Sequence, residues 1–313
     1  MTIKSSGSSL SFSEIESEFG ANGSRSLGGY RVTQSVGSLN NLPLDNSIPT
    51  SGQIKFSDFY GKQLNVVVDC HSGGQEDRIS AKGDKWNNNA VTVIGGFRTK
   101  KEGGSKIIIN VNKKFCSDKS NQINCALKTG SWDSTATVQV DVGSSGEVLG
   151  AGGDGGKGAD GINNNGDSGS PGTSALGIEH NGVTVNIASG GILRCGFGGG
   201  GGGGGAGCPA GSGGQGGDTG GGFGSGSGQP GGAGTETTGG GGGGGGNNGG
   251  QAFGGPGGSG GQASGNAGSG QNRNTSGGSG GGNGAAIRRT SGFSVTINNS
   301  GTVQGSTTDT GVN

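Results

Sequence analysis

Residues 185–205 read VNIASGGILRCGFGGGGGGGG, and this stretch joins the two kinds of sequence that decide the fold. Its first half places apolar residues at alternate positions on either side of Gly191, which predicts a strand, a turn and a short second strand. The same spacing occurs at Val140–Gly150 and again at Val295–Gly305. The three copies predict one small β-hairpin scaffold to which the chain returns after each insertion.

Two glycine-rich excursions, about residues 150–180 and 196–286, lie between these copies. Part of their glycine follows a three-residue period, as in GGDGGK at 152–157 and GGPGGSGGQ at 254–262. Three residues per turn is the period of a polyproline-II-type helix, and its glycine faces let neighbouring helices approach closely. Isolated glycine-rich sequence is typically disordered. Because matched hairpins bracket both excursions, we expect packed, polyglycine-II-like helices instead.

The overall composition narrows the classes of protein. Glycine accounts for 85 of 313 residues, only 26% are hydrophobic, and 21 basic residues balance 21 acidic ones. The chain has no basic stripe, which disfavours nucleic-acid binding. No apolar run approaches the roughly 20 residues that span a bilayer, and the N-terminus lacks a signal peptide's apolar stretch. We therefore expect synthesis in a cytoplasm, with any extracellular role reached inside a released particle.

Residues 64–142 have the composition of an ordinary β-domain. Val- and Ile-rich segments alternate with polar residues, and glycine pairs separate them. This pattern predicts a small β-sandwich or barrel with Trp86 and Trp132 in its core.

The N-terminal region contains a short internal repeat of the form aliphatic-x-Phe-Ser-acid-apolar. It occurs at Leu10–Ile15 and again at Ile54–Phe59. Ser13 and Glu16 fit a capping box, which predicts a short helix over 15–19, and Ser57 is placed to cap a second short helix. Each unit is too small to fold alone. They are expected to dock on another surface, or alternatively to pack on each other.

The acidic residues of the first excursion do not form a convincing catalytic or metal site. Residues 155–163 match a calcium-binding nonapeptide once, but that motif works through stacked copies. Asp154, Asp160 and Asp167 lie in a glycine loop without a predicted apolar pocket, so solvated carboxylates are expected rather than a catalytic pair.

The five cysteines match no zinc-binding spacing. Cys116–Cys125 and Cys195–Cys208 are the pairs considered for disulfides, with free thiols the simpler expectation. Taken with the isolated acidic residues, this predicts no enzyme activity, no metal and no cofactor.

Three phenylalanines stand isolated in the second excursion, and short polar bends lie between them. The aromatic rings either anchor glycine helices on the scaffold or contact a ligand. Short polar side chains suit sugar hydroxyls or polar protein surfaces. The contact candidates are Phe197, Phe223, Thr235, Glu236, Asn247, Asn248, Phe253, Asn272, Arg273 and Asn274.

Two parts of the chain resemble phage proteins. The N-terminal repeat, with Gly52–Gly61 around its second copy, resembles the anchoring module of virion structural proteins in tailed phages, notably marine and cyanobacterial ones. The hairpins that run into Cys195-Gly196-Phe197 and a polyglycine tract resemble glycine-rich tail-fibre adhesins. In those adhesins polyglycine-II helices display variable host-recognition loops. Residues 64–142 resemble neither group.

The resemblance implies a mostly β protein in three parts. Residues 1–62 would dock on the virion, 64–142 would form a β spacer, and 143–313 would form a hairpin scaffold whose excursions meet the host surface. The implied function is a tail fibre or receptor-binding adhesin. The alternative is a capsid or tail decoration protein that binds only other virion proteins. An ice-binding or matrix protein would explain the glycine triplets but not the N-terminal repeat.

The implied partners are other virion proteins and a host surface polysaccharide or outer-membrane protein. The expected location is the virion, at a tail fibre, the baseplate or the capsid surface. A homo-oligomer, by analogy a trimer, is also expected. The virion-docking candidates are Leu10, Phe12, Ile15, Phe19, Ile54, Phe56, Phe59 and Tyr60.

Overall fold

The computed structural model describes most of the scaffold and the roots of both excursions. The described residues are 3–19, 25–31, 33–36, 39–43, 48–49, 51–70, 79–81, 91–94, 104–117, 123–157, 165–199, 201, 247–248, 252–253 and 278–312. Its helices are α1 (Phe12–Phe19) and two 3-10 helices, Leu27–Arg31 and Phe56–Phe59. No helix in these ranges is long and apolar enough to cross a bilayer.

Short strands make up the rest of the regular structure. They are β1 (Thr33–Val36), β2 (Leu39–Pro43), β3 (Asn65–Cys70), β4 (Ile79–Ser80), β5 (Val91–Ile94), β6 (Lys106–Val111), β7 (Lys114–Cys116), β8 (Cys125–Lys128), β9 (Thr137–Val142), β10 (Glu147–Leu149), β11 (Ser174–Ile178), β12 (Val183–Ile187), β13 (Ile192–Arg194), β14 (Asn247–Asn248), β15 (Ala252–Phe253), β16 (Ala285–Arg289), β17 (Val295–Asn299), β18 (Thr302–Gln304) and β19 (Ser306–Thr308).

Three sheets with parallel pairing form the scaffold. Their strand orders are β17-β12-β9-β6-β3-β5, β18-β13-β10-β7 and β19-β16-β11-β8-β4. The chain visits the three sheets in the same order on successive passes: β9, β10, β11, then β12, β13, β16, then β17, β18, β19. Each pass adds one parallel strand to each sheet, and among the described strands of these three sheets only β5 pairs in the antiparallel sense, with β3. The scaffold is therefore a three-sided parallel β-solenoid.

The three sequence copies stack as neighbouring coils of this solenoid. Val140 pairs with Val185, and Val185 pairs with Ile297. On the next side Val148 pairs with Leu193, which pairs with Val303. The first strand of the third copy is thus displaced by two residues from the match made on sequence alone. Because side chains alternate with period two, a displacement of two keeps the apolar residues on the same face.

The mostly β fold with a short N-terminal helix is confirmed, but the predicted hairpins and the sandwich or barrel are not formed. The two strands of each copy lie in different sheets and pair with the equivalent strands of the neighbouring copies. An apolar alternation specifies which face of a strand is buried, but it does not specify which strand pairs with it. Strands on both sides of residue 142 share all three sheets. The division into three domains remains a prediction.

The core lies inside the coils and continues into the N-terminal region. Alternate residues of β9 and β12, such as Val140 and Val185, are fully buried. Trp132 is buried as predicted, and its Nε1 donates to the Thr129 carbonyl at 2.7 Å. The Glu18 carboxylate of α1 accepts a hydrogen bond from the Leu64 N–H at 2.8 Å, which ties the N-terminal helix to the start of the solenoid.

Candidate functional site

Both glycine-rich excursions leave the solenoid at the same corner. One departs after β10 and returns at β11, and the other departs after β13 and returns at β16. In the last coil a single residue, Gly305, connects β18 to β19 at the same corner. Neighbouring parallel strands lie about 4.8 Å apart. The excursions therefore begin and end side by side, which brings four extended segments into contact.

We call these four segments the glycine bundle: 150–157, 165–173, 196–199 with Gly201, and 278–284. Within the first excursion, the Thr173 N–H donates to the Ala151 carbonyl at 2.9 Å and the Ser170 N–H donates to Asp154 at 2.8 Å. The Asp167 N–H continues this series to Lys157 at 2.8 Å. The three-residue interval between bonds is that of polyglycine-II-like helices joined by their backbones.

Further backbone hydrogen bonds join the two excursions to each other and join the two segments of the second excursion. They are Gly153 N to Phe197 O at 2.8 Å, Gly196 N to Thr173 O at 2.9 Å, Gly199 N to Ser170 O at 2.9 Å, Gly169 N to Ser279 O at 2.9 Å, Gly172 N to Gly282 O at 3.0 Å, Gly281 N to Gly199 O at 2.7 Å and Gly284 N to Gly196 O at 2.9 Å. Segments 165–173 and 196–199 each bond to the other three. A polyglycine-II-like helix has no internal hydrogen bonds, so these contacts satisfy its backbone.

Glycine is required here because the backbones touch. A Cβ on Gly153 would lie 2.0 Å from the Ser170 carbonyl oxygen, and one on Gly199 would lie 1.9 Å from that of Asp154. A Cβ on Gly281, which lies in a different segment from Gly153, would also lie 2.0 Å from the Ser170 carbonyl oxygen. These distances are far inside van der Waals contact. Any other residue at these positions would push the segments apart.

A small hydroxyl cluster closes the root of the bundle. The Ser117 and Thr173 side-chain hydroxyls are buried and hydrogen-bonded to each other. The Ala151 N–H donates to both of them, at 3.0 Å and 2.7 Å. Sequence reasoning did not identify this cluster. Ser117 could have been found from its position. It directly follows β7, at the corner from which the longer excursions leave the later coils.

The predicted contact residues fall in two groups. Phe197 is half-buried within the bundle, while Asn247 and Phe253 are paired across the short antiparallel ladder of β14 and β15. Asn248 pairs with Ala252 in the same ladder. The remaining candidates, Phe223, Thr235, Glu236, Asn272, Arg273 and Asn274, lie outside the described residues.

The two N-terminal repeat units pack on each other through aromatic rings. The Phe19 and Phe59 rings lie 6.0 Å apart, and both contact the buried Tyr30 ring at 5.9 Å and 5.8 Å. Ile15, Phe19 and Phe59 are fully buried, so they present no surface to a partner in this conformation. Of the other docking candidates, Phe56 is 40% exposed, and Leu10, Phe12, Ile54 and Tyr60 are half-buried.

The caps of both short helices differ from the predicted ones. The Ser11 N–H donates to Glu14 at 2.7 Å and the Glu14 N–H donates to the Ser11 hydroxyl at 3.3 Å, so the capping box begins two residues before Ser13. Lys4, at 2.6 Å, and then Ser11 lower the pKa of Glu14 to about 2. Asp58 accepts from the Lys55 N–H at 2.7 Å, which makes Lys55 rather than Ser57 the first cap residue of the second helix.

The structure describes four of the five cysteines and two of the three acidic candidates. The described cysteines, Cys70, Cys116, Cys125 and Cys195, are buried and form no disulfide, and burial raises the pKa of the Cys195 thiol. Cys116 and Cys125 are therefore not bonded to each other; Cys208 lies outside the described residues. Asp154 and Asp167 are exposed, whereas Asp160 and most of the nonapeptide also fall outside the described ranges. Within those ranges no three or more His, Cys, Asp or Glu residues form a potential metal-binding group.

A family model described as phage tail fibre adhesin Gp38 matches residues 76–308, which contain every solenoid strand except β3, and both excursions. The chain belongs to this family. The adhesin is thus a virion tail component that serves in host attachment, as its N-terminal and glycine-rich sequences had suggested. This assignment favours the adhesin over the capsid-decoration and ice-binding alternatives, and it is consistent with a non-enzymatic structural protein.

The adhesin is also similar to one solved structure, the gp37–gp38 adhesin tip complex of the bacteriophage S16 long tail fibre. The two chains are 18% identical, the match covers 96% of this chain and 98% of the other, and the TM-score is 0.39. No curated protein matches the adhesin.

Proposed function

We propose that the adhesin attaches the phage to its host through the loops that the glycine bundle carries, chiefly those within residues 202–277. The observation that carries this proposal is the bonding of four backbone segments from one solenoid corner into a single stem. A stem whose backbone hydrogen bonds are satisfied fixes the points at which these segments leave and rejoin it, which lowers the entropy lost on binding. Loops on a rigid base are common binding sites.

The receptor in this proposal is a polysaccharide or an outer-membrane protein of the host surface. The predicted contact residues in the loops are polar, with isolated phenylalanines, and only Glu236 and Arg273 among them carry a charge. Such a surface suits hydroxyl-rich or uncharged polar partners better than strongly charged ones. Asn247 and Phe253, opposite each other on β14 and β15, are the first residues we would assign to this contact.

The other end of the proposed function is docking on the virion through the N-terminal module. Phe56 and the half-buried Phe12 have rings 5.9 Å apart and form an aromatic edge at the surface of that module. An exposed aromatic edge suits burial against another protein. The solved gp37–gp38 assembly is one of two tail proteins. By analogy we propose a tail fibre protein as the docking partner and a homo-oligomeric assembly such as a trimer. We also propose that the adhesin has no enzyme activity of its own.

The loop proposal is tested by removing the loops while keeping the stem. Gly201 and Gly278 are adjacent, since a Cβ on Gly201 would lie 1.9 Å from the Gly278 oxygen, so a short Gly-Ser link in place of 202–277 can close the chain. Binding of the fluorescently labelled full-length adhesin to susceptible cells is expected to fall to background in this variant. Ile297→Ser, a change on the exposed last coil, is expected to bind like the parent.

Thermal unfolding monitored by circular dichroism serves as the folding control, with a transition retained in both variants. Undiminished cell binding by the folded variant that lacks 202–277 would exclude these loops as the receptor site.

A further inference from the structure

A row of polar side chains crosses the outer face of the six-stranded sheet, away from the residues of the glycine bundle. Asn110, Asp141, Asn186 and Asn298 occupy paired positions on β6, β9, β12 and β17. The residues on either side of them in β6 and β9 belong to the core, so this row lies on the opposite face of the sheet, where Asn110 is itself buried. We call these four residues the amide row.

Hydrogen bonds connect three members of the amide row in one direction. Asn298 Nδ2 donates to Asn186 Oδ1 at 2.8 Å, and Asn186 Nδ2 donates to Asp141 Oδ1 at 2.7 Å. Gln139 Nε2 donates to both oxygens of Asp141 at 2.8 Å. These bonds fix the orientation of the amides and leave the Asn298 carbonyl oxygen at the exposed end of the row. The row is therefore an ordered set of donors and acceptors.

Asn110 is the member of the row whose hydrogen-bonding capacity is not met. It is only 7% exposed, and its Nδ2 atom is buried without a hydrogen-bond partner. Most buried polar groups are paired, and an unpaired one lowers stability. The terminal torsion of an asparagine has a broad energy minimum, so a small rotation lets this amide donate to an oxygen that enters beside it.

The amide row lines a groove of about 450 Å³. Asn112 and Ser300 add polar groups to its lining, and Gly143 and Ala188 add small residues. A Cβ on Gly143 would lie 1.9 Å from Asn112 Oδ1, so glycine makes room for that amide. The volume lies within the range of about 300–1,000 Å³ typical of small-molecule sites.

We propose that this groove binds a neutral saccharide. Asp141 is the single charged residue among those that line it, and no cation balances it there, which disfavours a phosphate or another anion. A divalent cation is also disfavoured, because both Asp141 oxygens already accept amide N–H groups and Asp141 is the one carboxylate among the described lining residues. Asp69, which pairs with Asn110 on β3, is buried outside that lining. A sugar presents adjacent hydroxyls, each of which donates and accepts, and these match the alternating amide donors and acceptors of the row.

Such a site would add to the attachment proposed for the distal loops and does not depend on it. The groove residues lie on β6, β9, β12 and β17 and on the turns that follow these strands, whereas the loops extend from another corner. Two weak contacts on one particle strengthen each other through effective concentration. Loss of the groove and loss of the loops therefore have separable effects on sugar binding and on cell binding.

The test is titration of the full-length adhesin with glucose, galactose, mannose and N-acetylglucosamine, followed by saturation-transfer difference NMR. At least one sugar is expected to bind, and Asn186→Ala is expected to weaken its binding about tenfold, because two hydrogen bonds of the row are lost. Thr184→Ala is the matched control: it lies on the same strand and outer face, two residues away, and outside the groove lining. Its affinity is expected to stay within about twofold of the parent.

Asn298→Ala provides a second variant on an exposed edge strand, where a change is least able to disturb folding, and the same weakening is expected. Absence of binding by all four sugars would overturn the proposal. Calcium binding in the same titration without sugar binding would also overturn it, by assigning the groove to a cation. Equal weakening by Thr184→Ala and Asn186→Ala would show that the groove does not make the contact.

Discussion

Individual glycines in the bundle allow the backbones of neighbouring segments to touch, and the sequence predicted part of this packing. The triplets of 152–157 predicted helices in close backbone contact, and Gly153 and Gly199 show that contact directly. The partners were not predictable, because a glycine specifies the absence of a side chain and not the neighbour that fills its place. Thus the carbonyls of Asp154 and Ser170, which the glycines face, were identified only from the structure.

Gly199→Ala is expected to lower the free energy of unfolding by about 1–3 kcal/mol, the usual cost of overpacking a tight interior. The new methyl would lie 1.9 Å from the Asp154 carbonyl oxygen, which is backbone and cannot rotate away. Gly28→Ala is the control, since its methyl would meet only the Ser26 hydroxyl at 3.4 Å. Thermal and chemical denaturation measure both. Equal stability of the two variants would contradict close packing in the bundle.

At the scale of elements, the sequence predicted strands and buried faces but not their pairing. Alternation at Val185 and Ile187 predicted a strand, and both side chains are buried, yet the pattern is the same for a hairpin and for a solenoid coil. The short N-terminal helix was also predicted, with its cap two residues late. Ser11 and Ser13 are each followed by a glutamate three residues later, so both fit a capping box. The contact between Glu14 and Lys4 favours the box that begins at Ser11.

Ile187 and Ile297 provide a direct comparison of an inner coil with the last one. Both lie in the six-stranded sheet, but Ile187 is 2% exposed and Ile297 is 37% exposed. Ile187→Ala is expected to cost about 2–5 kcal/mol of unfolding free energy through the cavity it leaves. Ile297→Ala is expected to cost less than about 1 kcal/mol. Equilibrium urea unfolding measures both, and similar losses would contradict the stacking order of the coils.

For the whole molecule, the sequence indicated a β scaffold with bracketed excursions, and family membership agrees with the function it suggested. It did not indicate that residues 64–142 and 143–313 share sheets. Insertions between β10 and β11 and between β13 and β16 hid the coil repeat, since they make the spacings unequal. A solenoid tolerates them because the entropic cost of closing a loop grows slowly with its length. The receptor was not predictable, because the composition of the proposed contact loops does not by itself select a partner.

The most direct test of the account is the position and accessibility of the distal loops on the intact phage. An epitope tag inserted after Gly232 would be located by antibody labelling and electron microscopy, with adsorption to host cells measured in the same samples. We expect the antibody to mark the outermost end of the tail fibre and to block adsorption. Labelling elsewhere on the virion, or a tag that the antibody cannot reach while adsorption continues unchanged, would contradict the central claim.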